Sequence, residues 1–103
     1  MPKLDLAMQL SEKAWKANST AFGPEDPNTL ISKNNLGMVY QAAGKLDLAL
    51  PQFEETLEAM KRKIGPDHPI TLLAMGNLAL AYQAAGSRMR SRNGRLSGPN
   101  NSP

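Results

Sequence analysis

The sequence predicts an all-α fold, built from tandem antiparallel helical hairpins that comprise about four helices. The first observation is an internal duplication: residues 3–44 align with residues 45–86 with 19 identities in 42 positions. A repeat period of about 20 to 50 residues marks one supersecondary unit copied in tandem. The second observation is that apolar residues recur at helical spacing, and no long segment alternates with the period of two that strands show.

The apolar stripes place helices near residues 3–21, 28–43, 46–64 and 70–85. In the second helix, Leu36, Tyr40 and Ala43 share one face because they are spaced by about one or two helical turns. The third helix carries a longer apolar stripe and is predicted to end at Gly65-Pro66, since proline does not continue a helix. The helices of one repeat therefore have counterparts in the other.

The ends of the second and fourth helices carry candidate capping residues. Asn28 or Thr29 is expected to cap the second helix, and Thr71 the fourth, because short polar side chains accept hydrogen bonds from the first backbone N–H groups. Gly44 and Gly86 are expected to end these helices in the left-handed conformation, which glycine adopts most readily.

Charge divides the chain near Gly86. Residues 1–86, the predicted repeat domain with units 3–44 and 45–86, hold eight basic and nine acidic residues, a balance of −1. Residues 87–103 are rich in Gly, Pro, Ser and Asn, and we expect them to form a disordered tail, since such a composition cannot repay the entropy of ordering. The tail contains no acid and four arginines: Arg88, Arg90, Arg92 and Arg95.

Composition removes several classes of function. The chain has no Cys, which excludes disulfides, thiol catalysis and Cys-ligated metals. His68 is the only His, and its position beside Asp67 and between prolines is typical of a turn rather than of a catalytic or metal site. No apolar run reaches the length of about 20 residues that a bilayer span needs, and the N-terminus lacks the apolar stretch of a signal peptide. We expect a soluble cytoplasmic protein with no catalytic residue, no metal and no cofactor.

The spacing of large, small and aromatic residues resembles the tetratricopeptide repeat family. The matching positions are Leu36-Gly37, Tyr40, Gly44, Ala49 and Phe53 in the first copy, and Leu78-Ala79, Tyr82 and Gly86 in the second. The 42-residue period and the Gly65-Pro66-Asp67-His68-Pro69 linker resemble the kinesin-light-chain type of this repeat. The resemblance covers residues 3–86, and it implies a right-handed superhelix of helix pairs.

The resemblance also implies a function, which is non-enzymatic binding of a peptide or partner helix on the concave face. The family's groove residues correspond here to Asn34, Asn35, Met38, Gln41, Asn77, Leu80 and Gln83. Asn and Gln suit this role because each offers a donor and an acceptor to a peptide backbone of any sequence. The other interpretation of these residues is a solvated polar surface.

Two other functions stay open. After Gly86 the family pattern continues with another helix, so Leu78 and Tyr82 would lie uncovered and could drive self-association. The Arg-rich tail could bind nucleic acid through phosphates, but it has no aromatic residue for base stacking, so this is the less favoured alternative. We expect no membrane binding. The polar residues Ser11 and Asn18 in helix 3–21 fit either an end cap of the array or ordinary sequence drift.

Overall fold

The fold is a linear stack of helices. The computed structural model describes the backbone of residues 2–97 and the side-chain environment of residues 3–87. Within this range four α-helices occur and no strand is present: α1 (Pro2–Phe22), α2 (Pro27–Ala42), α3 (Leu46–Lys63) and α4 (Pro69–Ser97). α2 packs against α1 and α3, α3 packs against α4, and α2 also contacts α4. The all-α, helical-repeat prediction is confirmed.

The core lies around α3, which packs between α2 and α4. Phe53 and Met60 are each 1% exposed and Ala49 is fully buried, all from the predicted apolar stripe of α3. Leu30 of α2 and Ala81 of α4 complete the same cluster from the two sides. Burial of this kind contributes roughly 25 cal/mol for each Å² of apolar surface removed from water, so α3 holds the stack together.

Gly37 allows α2 and α3 to approach closely. A Cβ atom at this position would lie 2.8 Å from Cε1 of Phe53, which is closer than carbon atoms pack. The ring of Phe53 therefore lies directly on the backbone of α2. A small residue is required here for packing and not for backbone conformation, because Gly37 is an ordinary helical residue.

The predicted N-terminal caps of α2 and α4 are wrong. The observed capping residues are Asp26 and His68, each of which directly precedes a proline. The backbone N–H of Asn28 donates to Oδ1 of Asp26 at 2.8 Å. The backbone N–H of Ile70 donates to Nδ1 of His68 at 3.0 Å. Both helices begin with proline, which lacks an N–H and suits the first helical position, so the preceding residue becomes the cap. His68 thus ends the turn, as its sequence context indicated.

The two threonines that were candidate caps are instead buried, and their surroundings differ. Thr29 and Thr71 are both fully buried copies of one position. The hydroxyl of Thr29 donates to the carbonyl oxygen of Gly23 at 2.7 Å. The hydroxyl oxygen of Thr71 has no hydrogen-bond partner among the described residues. The duplication therefore preserved the residue but not its interaction.

The C-terminal ends of α2 and α4 also differ. Gly44 adopts a left-handed conformation with φ of 80° and ends α2, as predicted. The same prediction for Gly86 is wrong: Gly86 has no positive φ, and α4 continues through it to Ser97 instead of ending at residue 85. The cause is local, because the backbone at Gly86 stays in the helical conformation that glycine also accepts. The division into a repeat domain and a tail at Gly86 stays a prediction, and residues 98–103 of the tail lie outside the described residues.

Candidate functional site

A cavity of about 260 Å³ lies between α2 and α4, which are corresponding helices of the two repeats. Its walls come from one face of each helix, and α3 supplies a residue at the bottom. The lining residues are Ile31, Asn34, Asn35, Met38, Met60, Ile70, Leu73 and Asn77. None of them is charged: five are apolar and three carry an amide. Such a composition, with a few polar groups in an apolar cleft, is typical of binding sites.

Exposure orders these residues by depth. Asn34 is 6% exposed and Met60 is 1% exposed, so they form the floor. Met38 and Leu73 are 45% and 65% exposed and form the rim, together with the exposed Asn35. A ligand entering from solvent therefore meets the amide of Asn35 and the apolar rim before it reaches the floor.

One polar contact crosses the mouth of the cavity. Nδ2 of Asn77 on α4 lies 3.7 Å from Sδ of Met38 on α2, a weak hydrogen bond to sulfur. Both side chains reach toward the opposite helix, and a thioether is a weak acceptor that a better one could replace. The donor group of Asn77 is therefore available to a ligand at little cost.

A second polar group of the cavity is unsatisfied. Oδ1 of Asn34 is buried and has no hydrogen-bond partner among the described residues. A buried acceptor without a partner costs about 1 to 3 kcal/mol. Asn34 is thus a residue whose amide destabilises the fold slightly, and its copy in the second repeat is Gly76, which has no side chain to bury.

The structure brings together four of the seven predicted groove residues. Asn34, Asn35, Met38 and Asn77 line the cavity. Gln41, Leu80 and Gln83 do not line it, although Leu80 is 59% exposed and Gln83 is also exposed. The sequence analysis missed the remaining lining residues, Ile31, Met60, Ile70 and Leu73. Helical spacing from Asn34 and Asn35 could have indicated Ile31, but Met60 belongs to another helix and has no such signal.

A tyrosine–glutamate pair that occurs in both repeats joins α2 to α1 and α4 to α3. The Tyr40 hydroxyl of α2 donates to Glu12 of α1 at 3.0 Å. The Tyr82 hydroxyl of α4 donates to Glu54 of α3, and both pairs are 28 residues apart in the chain. These four residues were not predicted to interact, but their identity in both repeats was a signal that could have found them.

The same pairs raise the pKa values of the two phenols. Burial is the main reason that the pKa of Tyr40 lies above its usual value, and the bond to Glu12 adds to it. For Tyr82, the hydrogen bond to Glu54 is the largest cause of the raised pKa. Both effects favour the neutral phenol, because a phenolate beside a carboxylate is repelled.

A second depression lies between the start of α2 and the end of α3, and its charges are paired. Lys33 and Glu55 form an ion pair at 3.1 Å, and Arg62 of α3 pairs with Glu25 in the loop between α1 and α2. Each charge already has a partner, and exposed pairs of this kind contribute little to stability. This surface therefore has a structural role, which is to hold that loop against α3.

In the described part of the chain, no group of three or more His, Cys, Asp or Glu side chains could hold a metal ion. Among the described helices, none combines the length and the apolarity that crossing a bilayer requires. The arginines of the predicted tail, Arg88, Arg90, Arg92 and Arg95, occupy the last turns of α4, and their side chains lie outside the described set.

A family model described as tetratricopeptide repeat matches the chain twice, over residues 3–62 and 28–88. The chain belongs to the tetratricopeptide repeat family. The two overlapping matches cover all four helices up to residue 88 and agree with the stacked arrangement of α1 to α4. Tetratricopeptide repeats are a non-enzymatic scaffold family that mediates protein–protein interaction. Comparisons with curated proteins and with solved structures gave no match.

Proposed function

We propose that this tetratricopeptide repeat protein is a non-enzymatic interaction module that binds a peptide or a partner helix between α2 and α4. The observation that carries the proposal is the neutral cavity of about 260 Å³ between these helices, with an amide at its floor and amides from both helices at its mouth. Asn35 and Asn77 occupy the same position in successive repeats. They present one amide from each helix to a ligand that crosses the cavity.

The chemistry of the lining favours a peptide over a charged small molecule. Apolar rim residues such as Met38 and Leu73 would cover an apolar side chain of the ligand, and burying such a side chain contributes about 1.5 to 3 kcal/mol. Amide groups can donate to a backbone carbonyl and accept from a backbone N–H, so they hold a peptide without depending on its sequence. A charged group would lose its hydration here without meeting an opposite charge.

The family's other groove residues extend the same proposal beyond the cavity. Gln41, Leu80 and Gln83 continue the faces of α2 and α4 in the C-terminal direction. We propose that a ligand longer than the cavity reaches them, whereas one apolar side chain and its flanking peptide groups engage the cavity itself. The kinesin-light-chain type of repeat and a cytoplasmic location belong to this proposal. The 42-residue period supports the kinesin-light-chain type.

The proposal is tested by selecting peptides from a random display library against the full chain and measuring their affinity by fluorescence polarisation. Asn35→Ala and Asn77→Ala are each expected to weaken a selected peptide by about tenfold, the equivalent of one hydrogen bond. Asn28→Ala is the matched control, because Asn28 is exposed on the same helix α2 but lies outside the cavity. Circular dichroism checks that each variant keeps its helix content.

Two results would contradict the proposal. If no peptide is recovered above background, the proposed interaction function is wrong. If the three Ala variants and the unchanged protein bind a selected peptide with equal affinity, the cavity is not the binding site. The salt dependence is a further check: the neutral lining predicts nearly constant affinity between about 50 mM and about 500 mM salt, conditions that would weaken a charged site.

A further inference from the structure

Among the described residues, no helix covers the two outer faces of the helix stack. An interior contact of the same protein shows how such faces are covered. α2 and α3 meet in a contact that we call the inner seam, in which Lys33 and Gly37 on α2 meet Gln52, Phe53 and Glu55 on α3. By helical spacing, the buried residues Leu30 and Thr56 lie on the same two helix faces and are counted with the seam. In the inner seam Phe53 lies on Gly37, Glu55 pairs with Lys33, and Nε2 of Gln52 donates to the backbone oxygen of Lys33 at 3.5 Å.

On α4, two of the three copies of the α2 seam residues face solvent, and the third, Met75, is half-buried. Leu72 is 50% exposed, whereas its copy Leu30 is 2% exposed. Ala79 is exposed, whereas its copy Gly37 is buried. The residues are nearly the same, so the difference in exposure comes from the helix that covers α2 and that α4 lacks within the described residues.

On α1, three of the four copies of the α3 seam residues face solvent, and the fourth, Ser11, is half-buried. Thr56 is fully buried and its copy Ala14 is exposed. Gln52 is half-buried and its copy Leu10 is 59% exposed. α1 has α2 on one side, as α3 has α4, so these residues mark the side on which α1 has no neighbour among the described helices. They form the outer face of α1.

At the copies of Lys33 and Gln52 the outer faces are more apolar than the inner seam, which an end cap would not be. Lys33 is replaced by Met75 on α4, and Gln52 is replaced by Leu10 on α1. Terminal repeats that keep an array soluble present polar outer faces. The two polar residues that suggested such a cap on α1 are half-buried, and Asn18 donates to Ser32 of α2.

The two outer faces also fit each other in size. An added Cβ at Gly37 would clash with Phe53, but at the outer faces both partners have changed: Gly37 becomes Ala79, and Phe53 becomes Ser11. The extra methyl group of Ala79 would therefore meet a small side chain. Lys13 replaces Glu55, and its long stem can carry the charge to the rim of the contact.

We infer that this chain self-associates head to tail, with the outer face of α1 of a second copy docked on the outer face of α4 as α3 docks on α2. The occupant of each exposed face is thus the opposite face of another copy. A head-to-tail contact is heterologous, because it joins two different faces. Every assembly therefore keeps one free α1 face and one free α4 face, and it can grow beyond a dimer. The inference goes beyond the proposed peptide site, which uses the face between α2 and α4.

The test uses sedimentation velocity on the full chain from about 1 µM to about 1 mM, the range in which interfaces of modest affinity dissociate. The average mass is expected to rise with concentration above the 11.2 kDa of one chain. Ala14→Lys on α1 and Ala79→Lys on α4 each place a charge on one face only, and each variant alone is expected to stay monomeric. Ala42→Lys is the matched control on an exposed position outside both faces and should associate like the unchanged protein.

A mixture of the two blocked variants decides the geometry. Ala14→Lys keeps its α4 face and Ala79→Lys keeps its α1 face, so an equal mixture should form a dimer and grow no further. An unchanged protein that stays monomeric at the highest concentration would overturn the inference. Self-association of Ala14→Lys alone would also overturn it, because a contact between two α4 faces does not need α1.

Discussion

Replacing Thr29 and Thr71 by valine is expected to change the stability of the protein in opposite directions. Valine has nearly the shape of threonine, so each substitution removes a hydroxyl group and little else. Both threonines are fully buried and occupy the third residue of their helices, α2 and α4. The two sites differ in one respect: the Thr29 hydroxyl bonds the carbonyl of Gly23 at 2.7 Å, and the Thr71 hydroxyl has no partner among the described residues.

The magnitudes follow from these contacts. Thr29→Val removes a hydrogen bond with a net contribution of about 1 kcal/mol and should lower the free energy of unfolding by about 1 to 2 kcal/mol. Thr71→Val removes an unsatisfied buried hydroxyl, which costs about 1 to 3 kcal/mol, and should raise the free energy of unfolding by about 1 kcal/mol. For a chain of this size, 1 kcal/mol corresponds to a shift in Tm of about 4 to 8 °C.

The assay is urea unfolding followed by circular dichroism at constant protein concentration. The midpoints should move apart while the slope m stays unchanged, since neither substitution alters the surface exposed on unfolding. A shift of both midpoints in the same direction would refute the reasoning. It would show that the Thr71 hydroxyl is satisfied in solution or that the Thr29 hydrogen bond contributes nothing.

Three further predictions use the same assay. His68→Asp should stabilise the protein by about 0.5 to 1 kcal/mol, because aspartate is a better cap and its charge suits the helix dipole; an unchanged midpoint would contradict the capping role. Gly76→Ala should stabilise by about 0.5 to 1 kcal/mol through helix propensity, whereas Gly37→Ala should destabilise by about 1 to 3 kcal/mol through overlap with Phe53; equal effects would contradict the close packing. The pKa of Tyr40 is raised in the folded protein. The contribution of its neutral phenol to the free energy of unfolding is therefore complete below the pKa of an unfolded tyrosine, about 10, and is lost as the pH rises through the higher pKa of the folded state. Above about pH 10, the Tyr40→Phe variant should therefore lose less stability than the unchanged protein. If the two proteins show the same dependence of stability on pH, the hydrogen bond between Tyr40 and Glu12 does not contribute as described.

Much of the fold could be predicted because the information is local. The helices follow from apolar residues at helical spacing, and three of the four helices end within two residues of their predicted bounds. The apolar stripe of α3 enters the core as predicted, since a helical stripe has to be covered. The exception is α4, whose glycine at position 86 stays helical because glycine permits a left-handed end without requiring one.

The candidate site could be predicted only in part. Asn34, Asn35 and Met38 share a face of one helix, and their position on it follows from periodicity. The floor residue Met60 and the unsatisfied state of Asn34 depend on how three helices stack, and no spacing in the sequence encodes that arrangement. The same is true of Leu80, which lies on the predicted face but outside the cavity.

The sequence by itself therefore determined the repeat, the helices and the positions that carry apolar side chains. Only the tertiary structure decided which of those positions are covered. Leu30 and Leu72 are the same residue at the same place in the repeat, yet one is 2% and the other 50% exposed. The physical reason is that the burial of a helix face depends on a neighbouring helix, and a position in a repeat does not specify whether that neighbour is present.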